Sequence, residues 1–233
     1  MINLLTSPIF YMFITLVFYM TFQLFYQKTK KAYLHPLILT GIILILYIYL
    51  ISSITKNNPT THLVEYNNSL QIVNLMLGPL TVVLAVPMFK NWLILKKYWL
   101  PILFSTIVGS FVSIISVYLL GMAFKLDYNI IISLIPKSVT TAIAKEISSN
   151  SNAIIELTIA AVIFTGVLGS LLGPTLAKIF KFNDDISSGL SFGVSSHAVG
   201  TSKALELSNT MGAISSIAIA TTGIVTMIIT LFF

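Results

Sequence analysis

Two polar interruptions hold the side chains able to do chemistry. The first reads Leu134-Ile-Pro-Lys137-Ser138-Val-Thr140-Thr141 and the second Gly193-Val-Ser195-Ser196-His197-Ala-Val-Gly200-Thr201. Each lies in the middle of an apolar segment. An ionisable side chain there is unfavourable by a few kcal/mol unless a cavity or partner compensates, so such residues mark a permeation site before they mark decoration. In the first break Pro136 stops the incoming half-helix, and Ser138, Thr140 and Thr141 are suited to cap the one that follows. The first N–H groups of that half-helix are unpaired and carry the positive pole of its dipole. Lys137 adds a full charge beside them, while the nearest acid on the following half-helix, Glu146, belongs at its far end. The tip therefore has positive potential, and an anion is its natural partner.

In the second break Gly193 and Gly200 permit backbone geometry that other residues resist, and Ser195, Ser196 and Thr201 supply hydroxyls. Two roles are open to His197: proton carrier in coupled transport, or donor to a buried carbonyl. Blander roles are open elsewhere. Lys137 can snorkel to a headgroup or pair with Glu156 or Glu206, and Lys203 and Glu206, three apart on a helix, suit a surface pair. The hydroxyls also serve as glue between membrane helices. No catalytic constellation competes, because no carboxylate pair lies within an apolar segment, there is no phosphate loop, and His197 has no nearby acid in sequence. The expectation is a non-enzyme without a cofactor. The chain has no cysteine, which excludes disulfides and thiolate metal sites, and His35, His62 and His197 lack metal-ligand spacing.

The elements that must position these breaks are membrane spans. The 233 residues are 56% hydrophobic and 9% charged, with mean hydropathy +0.95, where a soluble domain carries roughly 25% charged residues. All 13 basic residues are lysine, and the net charge is +6. The lysines cluster in short loops, where they orient a membrane protein and give no reason to expect nucleic acid. Apolar runs at about 8–26, 35–54, 69–89, 99–124, 153–177 and 211–233 each approach the ~20 residues needed to cross the hydrocarbon core. The first lacks a basic flank ahead of it and a cleavage site after it, and reads as a retained span. Segments 128–149 and 186–208 contain the breaks. In the third run, Pro79 predicts a kink or unwinding near Gly78. Asn74, Gly78, Pro79 and Thr81 are then coupling or support candidates, or simply a packing kink. The fold expected is an all-α polytopic membrane protein. It has about six full spans plus two broken or re-entrant helical hairpins in a single domain, 1–233, with N-terminal spans in 1–125 and both broken segments in 126–233.

The broken segments resemble each other. Thr141, Glu146 and Ser148 match Thr201, Glu206 and Ser208 at a constant offset of 60, which points to an internal repeat. If both segments are re-entrant and the N-terminus lies outside, the lysine clusters at 28–31, 90–97 and 178–181 all fall inside. If both cross completely, Lys178 and Lys181 move outside. The re-entrant reading puts both termini outside a multi-pass cell-membrane protein. One full span separates the hairpins, so they enter from opposite faces and their tips meet, as in inverted-repeat carriers. The alternative is a pair of discontinuous helices that cross at their breaks.

Three stretches together identify a likeness: Gly78-Pro79-Leu-Thr81-Val-Val-Leu-Ala-Val-Pro87, Leu134-Ile-Pro-Lys137-Ser-Val-Thr-Thr-Ala-Ile-Ala144, and Ser196-His-Ala-Val-Gly-Thr-Ser-Lys-Ala-Leu-Glu206. They resemble the LrgB/CidB family over nearly the whole chain. That family includes antiholin-like and holin-like bacterial proteins linked to murein hydrolase export and autolysis, members linked to pyruvate uptake, and the C-terminal half of the plastid glycolate/glycerate translocator. The resemblance implies a secondary carrier for small monocarboxylates. Lys137 and the half-helix N-termini would meet the carboxylate. Ser138, Thr140, Thr141, Ser196 and Thr201 would bond its oxygens, beside Ser195 and Gly200. His197 would orient it or carry a proton, and Lys203 and Glu206 are possible support. The alternatives are a holin-like or antiholin-like pore or regulator, and a structural partner that only controls an LrgA/CidA-like protein. Such a partner is not fused to this chain and is expected as a separate membrane protein. A homodimer is expected by analogy with carriers that move against a fixed scaffold. The family commonly has Asn-Pro where this chain has Gly78-Pro79, so a contact from that asparagine is missing here or supplied by Asn74.

Overall fold

A computed structural model describes residues 5–29, 34–76, 79, 82, 83, 85–182 and 184–232. Gly78 and Thr81 lie outside the described residues. The chain gathers into two compact units, Met1–Leu77 and Gly78–Phe233.

The first unit holds α1 (Pro8–Thr29), α2 (Pro36–Thr55), α3 (Pro59–Ser69) and α4 (Gln71–Leu75). α2 and α3 start on proline, whose missing N–H is one of the donors a first turn leaves unpaired anyway. α3 is polar (Pro-Thr-Thr-His-Leu-Val-Glu-Tyr-Asn-Asn-Ser), and no apolar run announces it. It is held by its polar residues: His62 is buried, with Nδ1 3.3 Å from the Tyr11 hydroxyl and 3.0 Å from the Glu65 carboxylate, and Nε2 2.9 Å from Thr55 Oγ1. In the run 69–89, expected as the third span, helix is described in pieces. Asn74 and Pro79 are both exposed.

Among the described residues, five helices are long and apolar enough to cross a membrane: α1, α2, α6 (Trp92–Ala123), α9 (Ile155–Ile179) and α11 (Asn209–Thr230). The chain is a multi-pass membrane protein. The second unit opens with α5 (Ala85–Lys90) and α6. α6 is non-helical at Tyr98, just ahead of Pro101, whose ring excludes the normal bond to the preceding turn.

Hairpin 1 consists of α7 (Tyr128–Leu134), a 3-10 turn (Ile135–Ser138), an extended Val139 and α8 (Thr141–Ser149). Its reversal is fixed at Thr158 of α9, whose hydroxyl donates to the Ser133 carbonyl at 2.8 Å and lies 2.8 Å from Ser148 Oγ. In one straight helix, Ser133 and Ser148 would stand roughly 22 Å apart at 1.5 Å per residue. Hairpin 2 is α10 (Asp185–Leu207), which turns back at His197 (φ 41°, ψ −137°). A straight helix of that length would measure roughly 34 Å, yet Ser208 Oγ donates to the Asp185 carboxylate at 2.5 Å. Both broken segments are therefore re-entrant and do not cross.

α9 carries both hairpins. Thr158 near its start ties the base of hairpin 1, and Val162 packs with Val139 and Ala144 at that hairpin's tip. Further along, Gly166, Gly169 and Gly173 lie against His197, Ser196 and Phe192, and side chains there would occupy the space those residues fill. The small-residue face lets the first arm of hairpin 2 pack closely on α9. The hairpins thus enter from opposite ends of the unit, and their tips meet near Val162 and Gly166. α6 repeats the pattern: Ile102 packs with Leu190 of hairpin 2, while Ile114 and Val117 pack with Ile132 and Ile135 of hairpin 1. α8 and the second arm of α10 are equivalent return arms, and the offset of 60 puts Lys137 and His197 at the same position of the repeat.

Candidate functional site

At the tip of hairpin 1, Thr140 caps α8, its hydroxyl accepting the Ile143 N–H at 3.4 Å. Of the three hydroxyl residues suited to capping by sequence, Thr140 makes the bond. Such a cap contributes about 1 kcal/mol and holds the turn that presents Lys137. Lys137 is half-buried, and its ammonium donates to Ser113 Oγ of α6 at 3.1 Å. Ser113 in turn donates to Ser138 Oγ at 3.2 Å. Among the described residues the ion pairs are His62–Glu65 and Lys203–Glu206, so no carboxylate stands against Lys137.

Lys137 and Ser138 line a cavity of about 660 Å³. The α6 wall is Ser105, Gly109, Val112 and Ser113; α9 contributes Thr165; the first arm of hairpin 2 supplies Ser187, Leu190, Ser191, Val194 and Ser195, with Phe182 at its base. Seven of these residues bear hydroxyls, one bears a positive charge and none a negative one. The cavity runs from the hairpin 1 tip along hairpin 2 to its base, next to Lys178 and Lys181 in sequence. An ammonium held only by a hydroxyl, in a pocket of hydroxyls, can take one carboxylate or similar monoanion through charge-assisted hydrogen bonds.

The other expected site residues are dispersed. Ser195 lines the cavity, donates to the Ser191 carbonyl at 2.7 Å and lies 2.8 Å from Ser196 Oγ, whose residue is buried against Gly169. His197, Gly200 and Thr201 lie behind that wall and do not line the cavity. His197 Nε2 lies 2.8 Å from the Val162 carbonyl, which can only accept, so this nitrogen carries the proton. Thr201 Oγ1 is 2.6 Å from Ser215 Oγ of α11. The unusual backbone expected of Gly193 and Gly200 falls instead on His197, for no described glycine has positive φ. Those glycines serve close approach: Gly193 lies against the Ser215 carbonyl and Ala218, and Gly200 against the Phe192 carbonyl and Ser196. Thr141 is half-buried in the first turn of α8, outside the cavity lining. Lys203 and Glu206 form an i,i+3 pair at 2.8 Å, and Asn74 and Pro79 are in the first and second units respectively.

The LrgB-like family model matches residues 15–233 of this sequence. The chain belongs to the LrgB-like family. It is 35% identical to the Bacillus subtilis protein YwbG over 216 residues, covering 93% of this chain and 92% of that one. It is 33% identical to the antiholin-like protein LrgB of Bacillus subtilis over 223 residues, 96% of this chain and 94% of that one. The LrgB of Bacillus mycoides is 31% identical, with the same coverage. No solved structure matches the chain.

Sequence reasoning on this LrgB-like chain missed Ser105, Ser113, Thr165, Ser187 and Ser191. A signal was present: Ser187, Ser191 and Ser195 recur every four residues, as do Ser105, Gly109 and Ser113, and that spacing puts each set on one helix face. Without the fold, such stripes read equally as glue between helices.

Proposed function

We propose that this LrgB-like protein is a secondary carrier for small monocarboxylates of the pyruvate, glycolate or glycerate type. The observation that carries the reading is the single Lys137 ammonium, without a carboxylate partner among the described residues, in a cavity of seven hydroxyl residues. One cation matches one negative charge, whereas a dicarboxylate would bring a second, unpaired charge into a poorly solvated site. Lys137 meets the carboxylate, Ser113 holds the ammonium, Ser138 reaches one substrate oxygen, and Ser195 with Ser191 faces the rest of the molecule. Thr140, Thr141, Ser196, His197, Gly200 and Thr201 build the two tips that shape this site. The lysine-rich ends face the cell interior, both termini lie outside, and the working form is a homodimer.

The names of two relatives favour a second reading more directly than the first: an antiholin-like regulator that acts with an LrgA-type membrane partner. Reconstitution into liposomes separates the two. A carrier gives saturable uptake of labelled pyruvate or glycolate, each competing with the other, without leakage of sucrose. A pore leaks sucrose as readily as glycolate. A regulator shows neither until an LrgA-type protein is added. Absence of uptake for every small carboxylate, or uptake unchanged in Lys137→Ala, refutes the carrier.

A further inference from the structure

A second cavity, of about 470 Å³, lies at the other end of the unit Gly78–Phe233. It is lined by Ile132 and Ile135 of the first arm and turn of hairpin 1, Glu146 and Asn150 of the return arm, and Met227 and Thr230 at the end of α11, among others. Its rim is the base of hairpin 1, beside the start of α9. The Lys137 cavity reaches instead to Phe182 and Ser187, beside the end of α9. Hence the two approach the hairpin tips from opposite ends of one helix. Ile135 faces the one and Lys137 the other, so a single 3-10 turn parts them.

We infer that the second cavity is the opposite-side vestibule of one permeation path, admitting the same small monocarboxylate, with the turn Ile135–Ser138 as the barrier. The inference rests on the carboxylate reading given above. The seam that seals the barrier is apolar, Ile132 and Ile135 against Ile114 and Val117. Ser113 of α6 bonds the turn at both Lys137 and Ser138. Hairpin 2 is pinned at both ends, by Ser208 to Asp185 at its base and by His197 to Val162 at its tip. The tip that separates the cavities is that of hairpin 1. Asn150, Asn152 and Thr230 offer neutral polar groups at the rim, while the exposed Glu146 carboxylate lowers the local anion concentration there, so the inferred path favours release over entry at this end.

The lack of cysteine allows a direct test with single-cysteine variants in oriented vesicles. Asn150→Cys and Thr230→Cys are expected to react with a bulky, membrane-impermeant maleimide from the face opposite the lysine loops, and Ser187→Cys from the lysine face. Labelled Asn150→Cys is expected to lose at least tenfold in glycolate uptake. Ser149→Cys, exposed on the same end but outside the cavity lining, labels without loss. Reaction of Asn150→Cys and Ser187→Cys from one face, or full uptake after labelling at Asn150→Cys, overturns the inference. If the unlabelled protein takes up no carboxylate, the carrier reading fails, and the two labelling faces alone then decide whether the cavities open at opposite ends.

Discussion

His197 is a β-carbon-bearing residue held at φ 41°, ψ −137°, where L side chains are strained. Such a conformation costs roughly 1–3 kcal/mol and survives only where its surroundings impose it. Here they do so through the 2.8 Å bond from Nε2 to the Val162 carbonyl and through contact with Gly166. His197→Ala removes the bond, leaves a buried carbonyl short of a partner and keeps the strain. His197→Gly loses the same bond but relieves the strain, offset by about 0.5–1 kcal/mol of extra chain entropy in glycine. The glycine variant should therefore be the more stable of the two by about 0.5–2 kcal/mol. For a chain of this size that is roughly 1–8 °C in melting temperature. Thermal unfolding of both variants in detergent, followed by Trp92 and Trp99 fluorescence, measures it. Equal melting temperatures, or a lower one for glycine, would refute the view that the tip of hairpin 2 is a strained turn held by its imidazole.

Three further outcomes are expected. Hydrogen bonds to charged groups contribute about 1.5–3 kcal/mol, so Lys137→Met should raise KM for carboxylate uptake by roughly 10- to 150-fold, with Lys137→Arg losing less. Gly169→Val should destabilise the unit by about 1–3 kcal/mol through overpacking, because its new side chain falls where Ser196 now sits; differential unfolding reads this directly. Asp184 accepts the Ser187 N–H at 2.7 Å at the start of α10, and that backbone bond is the main reason its carboxyl is held below the usual range. A depressed folded-state pKa means that its stabilisation is present above the unfolded value, about 3.9, and is lost as pH falls through the lower folded value. An acid titration of melting temperature should therefore show a steeper fall in the wild type than in Asp184→Asn, which keeps a capping oxygen but does not titrate.

The breaks were legible because a lysine, a histidine and clustered hydroxyls stand out in apolar surroundings, and the repeat was legible because Thr141 and Thr201 lie at matched positions of the two return arms. The re-entrant course followed from lysine placement and is borne out by the Ser208–Asp185 and Thr158–Ser133 bonds. Less was legible where the signal is not periodic. α3 is polar, so no hydropathy scan finds it, and it is fixed by the environment of His62. Ser113 looks like any hydroxyl inside a span, and only the fold brings it to Lys137, 24 positions away. The positive φ landed on His197, not on a glycine, because an imidazole reaching α9 can impose a backbone that glycine would merely tolerate.

The closed base of α10 bears on how the protein enters its bilayer. Each of its arms, 185–196 and 198–207, is about half the ~20 residues that a helix needs to span the hydrocarbon core. An arm emerging alone would also carry the unpaired peptide groups of its tip into hydrocarbon. Thr201 finds Ser215, and Gly193 its seat beside Ala218, only once α11 has been synthesised. A nascent chain that stops before Asn209 therefore lacks the α11 partners against which residues 185–207 pack.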